Sequence, residues 1–288
     1  AWSNWQAHKI GGFHDSFGVA TYCSKGGHRI HDNFIHDHWG GISDMVPWKG
    51  GEEFDRPEYD PRLDVHHNYV LNISDDGLEP NATGFECEWH DNIVESCLCG
   101  FRIKGPRLGP MYVYRNIFID NGEDFRNYGE HEVPPARVYV YHNTCTAGAA
   151  IQNNKIVGRG VPNYHYFNNL FHCAYWYGST GECVEPNWRG DYNVYVRRGT
   201  SPRWNETRAL ALRLGLDAHS TWLEGAEPGF VDPARKDFSL RADSPARARG
   251  ADLSRLFGKP LPGCPAGYFA GAAPDAGALQ FGEAMPRL

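Results

Sequence analysis

An asparagine that returns at a nearly constant interval, each time between two short apolar runs, restricts this chain to very few architectures. The segments are His31-Asp-Asn33-Phe-Ile35, His66-His-Asn68-Tyr-Val70, His90-Asp-Asn92-Ile-Val94, Tyr114-Arg-Asn116-Ile-Phe118 and Tyr141-His-Asn143-Thr-Cys145. Phe167-Asn-Asn169-Leu-Phe171 and Asp191-Tyr-Asn193-Val-Tyr195 continue the series more loosely. Successive asparagines are 35, 24, 24, 27, 26 and 24 residues apart. Ile30, Val65, Trp89, Val113, Val140 and Tyr166 stand three residues before the first six; Ile35, Val70, Val94, Phe118, Cys145 and Phe171 stand two after. A period near 24 residues is too short for a repeat of paired helices. It fits one turn of a parallel β-solenoid, where equivalent positions stack at the ~4.8 Å strand spacing. At a tight corner an asparagine tolerates unusual backbone angles, and its amide bonds the copies above and below, giving an asparagine ladder.

Composition narrows the remaining choices. The 288 residues carry 28 Lys and Arg against 35 Asp and Glu, a net charge of −7, which argues against a nucleic-acid binder whose affinity rests on neutralised phosphates. No run approaches the ~18 apolar residues of a membrane-spanning helix, so no membrane insertion is expected. Hydrophobic residues make up 41%, enough to fill a core. The chain begins at Ala1 with no charged or apolar leader, so any signal peptide is expected to have been removed, and an extracellular or periplasmic setting is expected from composition. Of eight cysteines, Cys145 and Cys173 read as small core residues, and Cys97-Leu-Cys99 lacks the second pair of a zinc knuckle.

Segments such as Leu63-Asp-Val-His-His-Asn-Tyr69 and Met111-Tyr-Val-Tyr-Arg-Asn-Ile117 resemble the rungs of right-handed parallel β-helix proteins, a superfamily that includes pectate lyases, polygalacturonases and many secreted bacterial proteins. The resemblance runs over about residues 15–200. It implies an all-β, single-stranded right-handed parallel β-helix over 1–200, followed by a helix and an extended capping tail over 201–288 packed on the solenoid. In that tail Asn205 caps a helix across Glu206 to Leu214, stopped at Gly215. The remainder folds back along the solenoid to cover an open edge. No N-terminal cap is visible in the sequence, so a second copy of the chain or a partner is expected over that end.

The face following the asparagine corner is where function is expected. Ile42, Leu78, Phe101, Phe125 and Ile151 mark the inward register, so the next residue on each strand points out. The outward column is then Ser43, Glu79, Arg102, Arg126 and Gln152, with Lys104 two residues beyond Arg102 and Asp44, Asp75 and Asp76 at its border. Carboxylates thus gather on some turns and cations on the next. Such a row suits an acidic polysaccharide: Arg and Lys pair with uronate carboxylates, acidify the C5 hydrogen, and a cation-flanked base removes it by β-elimination. Catalytic candidates are Arg102, Lys104, Asp76 and Glu79. Arg107, Arg126, Trp48, Trp39 and Gln152 are candidates for substrate binding. Asp44, Asp75, Asp76 and Glu79 offer oxygen ligands for Ca²⁺.

The resemblance supports two chemistries. In pectate lyases an arginine-rich segment precedes a Val-Tyr-Asn rung, as Arg102 and Arg107 precede Val113-Tyr114. Polygalacturonases carry an Arg-Ile-Lys triplet and an earlier Asp-Asp pair, similar to Arg102-Ile-Lys104 and Asp75-Asp76, and in that reading Asp76 and a neighbouring carboxylate serve as acid and base.

The bland alternatives are specific. Glu79–Arg102 is a surface ion pair contributing ~0–1 kcal/mol. Asp75-Asp76-Gly77 is a turn. His31, His66 and His90, each two residues before the asparagine, either ligate Zn²⁺ or Cu²⁺ or stack because the repeat repeats them. A non-catalytic β-helix, serving as a surface-layer, adhesive or glycan-binding module, is the third reading.

Overall fold

The computed structural model describes residues 16–22, 26–45, 62–81, 85–104, 109–129, 137–146, 149–156, 163–177 and 189–286. The chain winds as a parallel β-solenoid with three sheets of seven, seven and eight strands. Sheet 1 contains Phe17–Tyr22, Gly40–Met45, Asp76–Asn81, Cys99–Lys104, Glu123–Gly129, Ala149–Ile156 and Tyr175–Tyr177. Sheet 2 holds the strands just before each asparagine, from Arg29–His31 to Arg189–Asp191. Sheet 3 holds those just after it, from Phe34–His36 to Thr221–Leu223.

The repeat asparagines form one continuous stack. Asn33, Asn68, Asn92, Asn116, Asn143 and Asn169 each donate Nδ2–H to Oδ1 of the next asparagine at 2.8–3.0 Å. Asn193 ends the series by donating to Asp217 Oδ1 at 3.1 Å. The left-handed backbone at this corner belongs to the preceding residue, not to the asparagine. Asp32, His67, Asp91, Arg115, His142, Asn168 and Tyr192 have φ of 51–57°. The asparagine keeps an ordinary backbone, and its amide turns inward to bond the stack.

Inside, the two apolar columns register as their spacing requires. Ile30, Val65, Trp89, Val113, Val140 and Tyr166 align on sheet 2, and Ile35, Val70, Val94, Phe118, Cys145 and Phe171 on sheet 3. Cys145 and Cys173 are free thiols in this core, and Trp89 is fully enclosed.

A third inward column explains how sheet 1 meets sheet 3. Gly18, Gly41, Gly77 and Gly100 stack, and a Cβ on Gly41 would lie 2.1 Å from the Gly77 carbonyl oxygen and 2.8 Å from Val70 Cγ1. Asp76-Gly77 is therefore no turn: it opens a strand whose glycine is demanded by close approach. Gly41→Ala is expected to lower stability by about 2–3 kcal/mol, read by chemical unfolding, because backbone on both sides must shift.

After the last asparagine, α1 (Arg203–Arg213) buries Trp204, Thr207 and Ala211 and seats Trp204 edge-on against Trp222. It starts three residues earlier than its asparagine suggests: Pro202 occupies the N-cap, and Asn205 lies within the first turn. Thr221–Leu223 then pairs with Val194–Arg197 and covers the last edge of sheet 3, and the rest of the tail runs back over outer faces. Phe230, Phe238, Leu240, Ala246, Ala276 and Leu279 pack on Ile93, Ile117, Leu170 and Val194 of sheet 3. Leu253 of α2 (Leu253–Phe257), Leu261 and Cys264 pack on Tyr114, Tyr139, Tyr141 and Phe167 of sheet 2. The tail's two apolar clusters draw on sheets 2 and 3, and the charged column lies on sheet 1. No described helix is long and apolar enough to cross a membrane.

Candidate functional site

On sheet 1 the strand register aligns Ile42, Leu78, Phe101, Phe125 and Ile151, which sets Ser43, Glu79, Arg102, Arg126 and Gln152 in one column. The glycine column changes what joins this row. Gly77 and Leu78 both face the interior, so the strand bends between them and breaks strict alternation. Asp76 and Glu79, three residues apart, consequently reach the same guanidinium. Arg102 Nη1 lies 2.5 Å from Asp76 Oδ2 and 3.6 Å from Glu79 Oε1. The next turns repeat the geometry: Asp76 registers with Cys99 and Cys99 with Glu123, and Glu123 pairs with Arg126 three residues on. Arg126 also approaches Asp76 Oδ1 at 3.8 Å.

The Glu79–Arg102 pair is therefore no surface pair. The side chains of Asp76, Glu79 and Glu123 are 1%, 6% and 4% exposed, and those of Arg102 and Arg126 14% each. In so dry a site an ionised group is tolerated only with its partner. Burial pulls the Arg102 guanidinium down, but Asp76 and Glu79 outweigh it and hold the group above its usual range. Arg126 is likewise held up against burial by the neighbouring carboxyl groups of Glu123 and Asp76. Burial pushes the Cys99 thiol well up, so it stays protonated.

Glu123 differs from its neighbours. Its Oε1 faces Arg126, whereas its buried Oε2 has no hydrogen-bond partner among the described residues. Burial lifts its carboxyl to about 7, with Arg126 opposing the rise and Asp76 adding to it. The site thus joins a carboxylic acid poised near neutrality to a carboxylate locked by guanidinium.

No family model, curated protein or solved structure matches this chain. The geometry of the cluster alone carries any argument about its chemistry.

The other expected residues scatter. Asp75 borders the cluster at the preceding corner and is largely buried. Asp44 registers with Pro80, not with Glu79, and accepts from Thr21 Oγ1 at 2.7 Å. Trp39 is half-buried at the corner before Gly40. Trp48 and Arg107 lie outside the described residues, as do the side chains of Lys104 and Gln152. Residues 46–61 and 178–187 lie outside the described residues as well.

Among the described residues, no group of three or more His, Cys, Asp and Glu is placed to hold a metal ion. That applies to the acidic set and to His31, His66 and His90. The three imidazoles lie face to face at 4.9 and 5.1 Å, and the stack continues through Tyr114 and Tyr141 at 4.6 and 5.3 Å. Stacked rings aim their nitrogens sideways instead of at a shared centre. His31 and His90 turn theirs to Asp32 and Asp91 at 2.6 and 2.8 Å, and His66 meets His67 at 2.8 Å.

Glu123 and Cys99 were absent from the expected site. The available signal was the repeat itself: Glu123 stands three residues before Arg126 as Asp76 stands three before Glu79.

Proposed function

We propose that this β-solenoid is a carbohydrate-active protein that hydrolyses a uronate-containing polysaccharide at the sheet 1 cluster. The observation that carries the reading is Glu123, a buried carboxyl lifted to about 7 beside the Asp76–Arg102 ion pair. Glycosidic cleavage needs one carboxyl that protonates the leaving oxygen while another acts as base or nucleophile. Glu123, with an unpartnered Oε2, is the proton donor; Asp76, bonded to Arg102, is the ionised partner. Arg102 and Arg126, the most exposed members of the cluster, orient the substrate and hold the carboxylates in place.

Hydrolysis suits the cluster better than β-elimination. Elimination needs a base on the cationic row, and a guanidinium gripped by two carboxylates gives up its proton less readily than a free one.

The test is to incubate the protein with pectate, alginate and glycosaminoglycans and follow reducing ends together with the ultraviolet absorbance of unsaturated uronates. Reducing ends are expected to appear without that absorbance. Glu123→Gln, which keeps the shape and removes the proton, is expected to slow the reaction by at least ~10²-fold. Absorbance rising with the reducing ends establishes elimination instead. Neither signal on any polymer leaves a glycan-binding or structural β-helix.

A further inference from the structure

A second feature lies on a different face and stands independently of catalysis at sheet 1. Where α2 packs against sheet 2, Arg137, Tyr139, His165, Phe167, Arg189, Leu256 and Phe257 enclose a cleft of about 380 Å³. Tyr139, His165 and Arg189 occupy the same register position on three successive turns, and Arg137 lies two residues before Tyr139 on the same side. The tail builds the opposite wall. Phe257 meets Tyr139, His165 and Phe167 edge-on at 5.3, 5.8 and 5.3 Å, and Lys259 places its Nζ 5.9 Å from the Tyr139 ring.

The charge of this cleft is one-sided. Arg137 and Arg189 are exposed, and neither makes an ion pair with any described residue. The carboxylate nearest in sequence, Asp191, is taken by His219, whose ring nitrogen lies 2.6 Å away. His165 is 9% exposed, and its Nδ1 has no hydrogen-bond partner among the described residues. Burial and the two arginines hold that ring neutral, with its pKa lowered to about 4. In a protein of net charge −7, three cations beside an unpartnered buried imidazole form a site lacking its counter-charge. Tyr139 is stacked between Tyr112 and His165, so the partly exposed Phe257 is the ring left to meet a ligand: an apolar ring beside guanidinium forks suits a pyranose that bears a carboxylate.

We infer that the Arg137–His165–Arg189 cleft binds an acidic saccharide, its carboxylate against the arginines and His165, its ring against Phe257. Arg189 and His165, one turn apart on the same column, hold the anion, and Arg137 and Lys259 receive the next charge along the axis.

Calorimetric titration of the full chain with oligogalacturonate tests the inference, with the neutral galactose oligomer and inorganic phosphate as comparison ligands. Oligogalacturonate is expected to bind at least ~10-fold more tightly than either, because each charge-assisted pair contributes on the order of a tenfold factor. Arg189→Ala is expected to weaken it by ~10-fold or more, and Arg137→Ala with Arg189→Ala together by ~10²-fold, with unfolding midpoints unchanged. Phe257→Leu, which keeps the charges, is expected to weaken the acidic sugar but not phosphate. On binding, the His165 ring resonances are expected to shift and its titration to move upward. Equal affinity for the neutral oligomer, equal affinity for phosphate, or unaltered binding by the double variant would each overturn the inference. Because the readout is affinity, its failure is separate from any failure of hydrolysis at Glu123.

Discussion

Asn116→Ala is expected to lower the stability of the fold by roughly 3–5 kcal/mol, the range for breaking a buried polar network. Asn116 is fully buried at the centre of the ladder. Its Nδ2 donates to Asn143 Oδ1 and to the Trp89 carbonyl at 3.0 and 2.9 Å. Its Oδ1 accepts from Nδ2 and the backbone N–H of Asn92 at 3.0 and 3.1 Å. Alanine removes all of these and strands the Asn92 backbone N–H. It also takes one buried partner each from the Trp89 carbonyl and from the Asn92 amide, which still donates to the Val65 carbonyl at 2.9 Å. Together these losses cost more than the bonds themselves contribute. The same change at Asn33, the partly exposed first member, strands fewer groups and admits water, so about 1 kcal/mol is expected there. Urea unfolding of the two variants reads the contrast. Equal small losses would mean that the ladder decorates the corner without holding it.

Acidification is expected to destabilise the protein through His142, by up to about 5 kcal/mol if the window is crossed completely. The ring is buried between sheet 2 and the tail, and burial together with the Arg115 charge lowers its pKa from 6.5 to about 3. Its Nε2 lies 3.0 Å from the Asn168 amide nitrogen and 2.9 Å from the Tyr268 hydroxyl. An amide N–H can donate only to an unprotonated nitrogen, so a proton there would set two donors against each other. The unfolded chain takes up this proton below about 6.5 and the folded chain not until about 3. The contribution is therefore complete above 6.5 and is lost as the pH falls through that interval. Glu123 and Asp217 act in the opposite sense: burial raises them to about 7 and about 6, so each folded carboxyl gains stability as the pH falls from there toward its ordinary value. The two trends partly cancel in the native protein. The difference between native and His142→Gln unfolding curves isolates the histidine, and should change by ~1.4 kcal/mol per pH unit below 6.5. A constant difference would mean that His142 is already protonated in the fold.

The repeat made much of this architecture legible. Asparagines at 33, 68, 92, 116, 143, 169 and 193 fixed the turn, and the apolar residues flanking them fixed the register. The column Ser43–Glu79–Arg102–Arg126–Gln152 followed from that spacing and holds in the strand pairing. What escaped notice depends on local geometry that alternation does not encode. The close approach of Gly77 to Val94, a side chain distant in sequence, accompanies the bend that brings Asp76 beside Arg102. The left-handed corner residue varies from Asp32 to His67 to Arg115, so no residue type marks it. Likewise α1 begins at Arg203 because Trp204 is drawn into the end of the core, which outweighs the capping preference of Asn205. The cleft at Arg137 and Arg189 needs Phe257, which reaches it only because the tail doubles back over sheet 2.

The account of the site depends on Glu123 holding its proton near neutrality beside an ionised Asp76. Carbon-detected NMR of the Glu123 side-chain carboxyl across a pH series measures this directly, with Glu123→Gln providing the assignment. A midpoint near 7 is expected, falling when Asp76→Asn removes the neighbouring negative charge. A midpoint in the ordinary carboxylate range of about 4–5 would contradict it, since Glu123 would then be one more ionised member of a structural salt-bridge network with no proton to give.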